Sequence, residues 1–295
     1  MKNIFNILII VGVLFISSCD DRLDLTPYDG LPEDEVFSTP GGFENAIRGV
    51  YNGFKADGYY GESSGYNISP EIASDNLSFC TAGRQTKKAL FEWRNTALDQ
   101  SFFLYGRGYK IISRANNILE NLDKLADNEF RDNIEGEALA LRALVHFDMA
   151  RIYCQIPTQN TSAGSSLGIY YANSFSPEES PVRSGTTVNG VYDLVEADLL
   201  NAADLINENN PVGRLNKAAV YGLLSRFYLH KGDYDACVQY SDLAIASGVP
   251  VAPREEFENI WYDEYDDNIL LKILVTDADD WRPGVPFSQE NAEKE

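Results

Sequence analysis

The chain has 295 residues, with 45 acidic against 24 basic side chains and a formal net charge of −21 at pH 7. So negative a balance excludes a nucleic-acid binder, because phosphate recognition needs clustered Lys and Arg, and equally excludes an electrostatic grip on anionic lipid. Length is sufficient for a substantial core, since chains of this size bury roughly 70–75% of their unfolded surface.

The first predicted element is a leader. MKNIFNILIIVGVLFISSC carries one charge, Lys2, before a nearly unbroken apolar run from Ile4 to Ile16 and two serines, the layout of a secretory signal. The 13 residues of that run, at about 1.5 Å each, reach only about 20 Å against a hydrocarbon core of about 30 Å. A permanent spanning helix is the weaker reading, and no other stretch is apolar enough to span. The tetrapeptide ISSC resembles a bacterial lipobox, which implies removal of residues 1–18 and lipidation of Cys19. Loss of Lys2 leaves 23 basic residues (24 − 1), so attachment to a bilayer has to be covalent; acyl chains contribute about 0.8 kcal/mol per buried CH₂. The remaining Cys80, Cys154 and Cys237 are odd in number with no CxxC spacing, which argues against a disulfide framework or a zinc site. Cys154 and Cys237 fall in helical patterns and are expected to be buried structural thiols.

Residues 19–42, rich in Asp, Pro and Gly, read as a lipidated tether that joins the body near Phe37. The body is expected over 43–276. A short helix places Phe43, Ala46, Ile47, Val50, Tyr51 and Phe54 on one face, and 57–97 reads as an irregular layer rich in Gly, Ser, Asn and Tyr. A long amphipathic stripe follows through Tyr105, Tyr109, Ile112, Ala115, Ile118, Leu119, Leu122 and Leu125. A second places Ile134, Ala138, Leu141, Val145, Asp148, Met149 and Ile152 on one face. The short spacing between the two predicts an antiparallel pair. Residues 156–187 form a long Ser/Thr/Gly/Pro-rich excursion of the kind that is functional or mobile. The next helix carries Val191, Leu194, Val195, Leu199, Ala202, Leu205 and Ile206 on its stripe.

The segment NKAAVYGLLSRFYLHKGDYDACVQYSDLAIASG then reads as helix, tight turn at Lys231–Gly232–Asp233, and helix. It resembles a tetratricopeptide repeat: Tyr221, Leu224, Ser225 and Tyr228 fill the first helix's slots, and small Cys237 and Ala244 let the second helix approach. Period-two alternation is confined to short runs such as NILLKILV (268–275). The predicted fold class is all-α, tetratricopeptide-like helix hairpins in a right-handed superhelical body with long loops and little β.

Three stretches in order, IEGEALALRALVHFDMARIYCQIP, VYDLVEADLLNAADLI and GRLNKAAVYGLLSRFYLHKGDYDACVQYSDLAIASG, are similar to the SusD/RagB-type lipoproteins. The family's Gly-Glu-Ala…Leu-Arg-Ala…Phe-Asp helix corresponds here to Gly136, Glu137, Ala138, Leu141, Arg142, Ala143, Phe147 and Asp148, ending near Pro157. SPVRSGTTVNGVYD, LDLTP and FENAIRGVYNGF also match its links and N-terminus, and Asp20–Asp21 resemble the export tag of surface lipoproteins in Bacteroidetes-type bacteria. The resemblance implies a non-enzymatic nutrient-binding lipoprotein, anchored in the cell outer membrane and facing the exterior. It implies a SusC-like TonB-dependent transporter as partner and an oligosaccharide, or in some branches a peptide, as ligand. Family members continue well past a NILLKILV-like strand, so 277–295 is expected to open a second half missing from this chain.

Catalysis has little support. His146 lies within a predicted helix and His230 at a helix end, neither beside a GxSxG, HExxH or CxxC motif. Both are expected to be structural or solvent-facing; no catalytic residue and no cofactor is assigned. YDEYDDN (262–268) and DADD (277–280) could offer oxygens to Ca²⁺ but lack EF-hand order, and a solvated acidic surface is the expectation. Sugar capture needs flat aromatics for the C–H faces of the rings and amides or carboxylates for the hydroxyls. Tyr59, Tyr60, Tyr66 and Trp93 occupy 57–97 beside Asn67, Asp75, Asn76, Arg84 and Asn95. For each tyrosine the alternative is packing beneath its own loop. Trp93, Asn95, Tyr66, Asp75, Asn76 and Arg84 form the candidate ligand set; Tyr170, Tyr171, Trp261 and Tyr262 are weaker candidates. The alternative function is a lipid-anchored helical-repeat adaptor that grips proteins on the periplasmic side.

Overall fold

A computed structural model of the chain describes residues 31–276 apart from 57, 62–64, 75, 78–84, 86, 95, 97–103, 177–182, 184 and 263. The leader, Cys19, Cys80 and the tail after Thr276 lie outside the described residues.

Among the described residues every regular element is helical. The α-helices are α1 (Glu33–Val36), α2 (Pro40–Gly53), α3 (Ser69–Ala73), α4 (Lys88–Phe91), α5 (Leu104–Glu120), α6 (Glu129–Tyr153), α7 (Val188–Leu205), α8 (Lys217–Lys231), α9 (Tyr234–Ala246) and α10 (Phe257–Trp261). The fold class is all-α, as the periodicity predicts. Starts of the longer helices are written in side chains: Thr39, Asn128, Thr187, Asn216 and Asp233 each accept the backbone N–H three residues on. Each such cap stabilises its helix by about 1 kcal/mol.

Helix α6 is the axis of the core. The sequence predicts one apolar face, but every residue from Gly136 through Ala150 is buried, because α2, α5, α7 and α8 all pack on it. Small side chains allow this crowding; a Cβ on Gly136 would come within 2.8 Å of the Ile206 backbone nitrogen. Around the axis, the expected stripe of α5 buries Tyr109, Ile112, Ala115 and Ile118. On α7, Val191, Val195, Leu199 and Ala202 are buried, whereas Leu194, assigned to the same stripe, is 40% exposed.

The long excursion is pinned rather than free where it is described. Asn116 Nδ2 donates to the carbonyls of Ala172 (3.0 Å) and Ser174 (2.9 Å), Tyr109 OH donates to that of Tyr170 (2.5 Å), and Arg183 Nε donates to that of Gly168 (3.0 Å).

Helices α8 and α9 form the expected hairpin. Gly232 closes it in the left-handed region (φ +84°), conformational space that glycine enters without a Cβ penalty. The crossing is close at Ser225, whose hydroxyl lies 2.7 Å from that of Ser241, and Tyr228 stacks on Tyr240 at 5.4 Å. Cys237 and Cys154 are half-buried free thiols rather than fully buried ones. The NILLKILV run forms no strand among the described residues; it opens on a turn at Asn268 (φ 70°), and Leu270, Leu271 and Ile273 lean against the core.

Candidate functional site

The layer between α2 and α5 is built on one buried carboxylate. Asp148, fully buried on α6, accepts the hydroxyls of Tyr59 (3.0 Å) and Tyr60 (2.6 Å) on the same oxygen, Oδ2. Burial pushes its carboxyl up, opposed chiefly by the Tyr60 hydroxyl and the nearby Arg226 charge. Phe54, Tyr59, Tyr60 and Tyr66 then form a chain of rings at centroid spacings of 5.1, 4.7 and 5.8 Å. Tyr66 is half-buried; its hydroxyl accepts a bond from Arg151 Nη1 (2.6 Å), whose guanidinium also lies 5.8 Å from the Tyr66 ring centroid. Tyr59 and Tyr60 thus pack beneath their own loop and anchor it to the core, which removes them as ligand-facing aromatics.

Trp93 is the reverse case. It follows α4 with φ +56° and is 76% exposed. Gln85 (φ 50°) and Lys87 (φ 64°) share that left-handed conformation within the same short stretch. A left-handed L-residue costs roughly 1–2 kcal/mol, and such outliers concentrate at binding sites. Helices α3 and α4 pack on each other, so the Tyr66 and Trp93 turns belong to one layer, yet the two rings make no contact and Trp93 has no aromatic partner among the described residues. Asn76 is exposed and gives its amide to Glu71 Oε2 (2.6 Å). Asp75, Arg84 and Asn95 lie outside the described residues.

The remaining candidates separate by burial. Tyr171 is buried and donates to Asp198 Oδ2 (2.5 Å), so it is a core residue. Tyr170 is half-buried, while Trp261 and Tyr262 are 77% and 72% exposed. Among the described residues no group of three His, Cys, Asp or Glu converges as metal ligands.

The helix motif carries three buried polar clusters. Arg142 makes a bidentate pair with Asp198 (both bonds 2.7 Å) and donates to Asn116 Oδ1 (2.9 Å). Beside it His146 stacks on Tyr171 at 3.8 Å, holds the Arg142 carbonyl at Nδ1 (2.9 Å) and accepts the Ala172 N–H at Nε2 (3.0 Å). Burial pushes the imidazole down to about 3, so it is neutral with its proton on Nδ1. Glu137 receives Tyr51 OH (2.7 Å) and Arg214 Nε (2.9 Å). His230 is half-buried against the edge of Phe147. Sequence reading overlooked Asp148 and Arg151 as the supports of the aromatic layer, although a lone carboxylate in an apolar stripe signals a partner, since an unpaired buried charge is prohibitive.

Residues 22–229 match the SusD-like family, described as starch-binding and associating with the outer membrane. The chain belongs to the SusD-like family. A SusD-like protein of Bacteroides ovatus is 22% identical over 273 residues, 87% of this chain and 46% of that relative. Among solved structures, a SusD superfamily protein of Bacteroides vulgatus is 27% identical with a TM-score of 0.64, over 76% of this chain and 51% of the other. A laminarin-binding SusD-like protein shares the fold at 17% identity and TM-score 0.63, over 78% of this chain and 50% of that one. This SusD-like chain spans about half the length of the curated relatives it matches, 46% and 44%. No helix among its described residues is long and apolar enough to cross a membrane.

Proposed function

We propose that this SusD-like chain is a non-enzymatic capture protein, lipid-anchored through Cys19 at the outer face of the cell outer membrane. In this reading it binds an oligosaccharide and passes it to a SusC-like TonB-dependent transporter. The observation that carries the reading is Trp93: a large indole, 76% exposed and held in a left-handed turn, offers the flat apolar surface on which pyranose C–H faces stack. Family membership and the laminarin-binding protein of like fold support saccharide over peptide. Tyr66 flanks the layer with its hydroxyl already engaged by Arg151. Asn76, together with Asp75, Arg84 and Asn95, would supply polar groups for the hydroxyls.

Titration calorimetry with laminarin and starch oligosaccharides tests this directly. Micromolar-to-millimolar binding is expected, lost in Trp93→Ala with the thermal melt unchanged; undiminished binding in that variant removes Trp93 from the site. Mass spectrometry of the mature N-terminal peptide is expected to find diacylated or triacylated Cys19, and an unmodified thiol there refutes the anchor.

Exposed apolar side chains on the C-terminal hairpin, among them Val238 and Ile245, favour a second reading, a periplasmic adaptor that grips proteins. Protease shaving of intact cells separates the two, since only an exterior body is cut.

A further inference from the structure

Apart from the aromatic layer, the fold holds a cleft of about 400 Å³ between the last turns of α2, the 211–214 turn ahead of α8 and residues 273–276. Three cations line it, Arg48, Lys55 and Arg214, and among the described residues no carboxylate does. In a chain with 45 acidic and 24 basic residues, such a wall runs against the composition. Its guanidiniums are held from behind. Glu44 Oε1 takes Arg48 Nε (3.3 Å), Arg48 Nη2 (3.1 Å) and Arg214 Nη1 (2.6 Å), while Glu137 holds Arg214 from the core side. Arg214 is only 9% exposed at its side chain, whereas Arg48 is 64% exposed and can turn its outer nitrogen to a ligand. The lining also includes aliphatic carbon, from Val212, Ile273 and Leu274. The turn that brings Val212 there is tight: Gly213 sits at φ +87°, and a Cβ on it would lie 2.6 Å from Leu274.

Cations and aliphatic carbon in one cleft match an anion with an apolar flank. Arg recognises carboxylates by paired, charge-assisted bonds, and a cleft of a few hundred Å³ takes a small ligand. We infer that this cleft is a second ligand subsite, one that takes a uronic acid unit of a saccharide. The carboxylate meets Arg48 and Lys55, and the C–H face of the ring rests on Leu274 and Val212. The choice of a saccharide rests on the capture reading above; the cleft and its cations do not.

The experiment is calorimetry on the full chain with tetragalacturonate, maltotetraose and tetraglutamate, at low and high salt. Tetragalacturonate is expected to bind, to weaken as salt rises, and to lose at least about tenfold in affinity in the Arg48→Ala/Lys55→Ala variant. Lys124→Ala, which removes a surface cation outside the cleft, is expected to leave that affinity unchanged. Both changes lie on exposed or half-exposed side chains, and a thermal melt verifies that the double variant remains folded. Unchanged uronate affinity in the double variant, or no uronate binding by the native chain, overturns the inference. Tighter binding of tetraglutamate overturns its saccharide half. Uronate binding without neutral-glycan binding instead defeats the Trp93 reading alone.

Discussion

Helices α6 and α9 read alike in the sequence, each as the second helix of an antiparallel pair, and they end in opposite environments. α6 is buried without a break from Gly136 through Ala150. α9 buries no residue fully, and Tyr234, Val238 and Ile245 are 64%, 59% and 69% exposed. Apolar exposure continues beyond it at Phe257 and Trp261. Periodicity reports which residues share a face; it does not report how many neighbours arrive to cover the others. Where four helices converge, even the polar face becomes interior, and its charged side chains must then find partners. Where α8 is the main neighbour of the hairpin's second helix among the described residues, apolar side chains stay in solvent, as surfaces that make contacts do.

That contrast is most easily broken at Asp198. Asp198→Ala leaves Arg142 buried without its bidentate acceptor, and a loss of about 3–5 kcal/mol is expected in denaturant unfolding. A loss below about 1 kcal/mol would mean that water reaches the guanidinium and that the axis is less closed than its packing implies.

Two glycine substitutions sharpen the contrast between crowded and open helix faces. Gly136→Ala drives a Cβ to 2.8 Å from the Ile206 backbone, and should cost about 1–3 kcal/mol by overpacking. Gly49→Ala, in α2 with nothing within 4 Å of the added carbon, should stabilise by about 0.5–1 kcal/mol through helix propensity. Opposite signs in paired thermal melts are the expected outcome.

His146 gives a pH signature of the buried axis. Its folded pKa of about 3 lies below the ordinary 6.5. As pH falls through that window the unfolded chain binds a proton that the folded chain does not, so stability declines with acidification. From about pH 7.5 to about pH 5.5 the decline attributable to this ring is about 1.4 kcal/mol. His146→Gln should remove that share of the slope, as read from the difference between the two stability profiles. At the other end of the scale, Val238→Ser on α9 should change stability by less than about 0.5 kcal/mol; a larger loss would place Val238 in a packed environment.

Much of this fold is legible along the chain. The stripes of α2, α5 and α7 and the glycine turn at Gly232 are local signals, decided by residues three or four positions apart. The candidate ligand layer was only half legible. An exposed indole and a buried phenol look the same in a Tyr- and Trp-rich loop, and Tyr59 and Tyr60 differ from Trp93 only because Asp148 lies beneath them.

What the sequence by itself determined is therefore the apolar stripes of the longer helices, the turn at Gly232 and an all-α body, whereas the short helices at Glu33–Val36, Ser69–Ala73, Lys88–Phe91 and Phe257–Trp261 fall where it read a tether, an irregular layer or no helix. Which faces are covered, and which charges are joined, was decided by the tertiary structure. Tyr51 meets Glu137 across 86 positions, Arg142 meets Asp198 across 56, and Arg214 meets Glu44 across 170. A buried ion pair owes its stability to the packing that excludes water around both partners, and that packing is assembled from segments too far apart for any local pattern to encode.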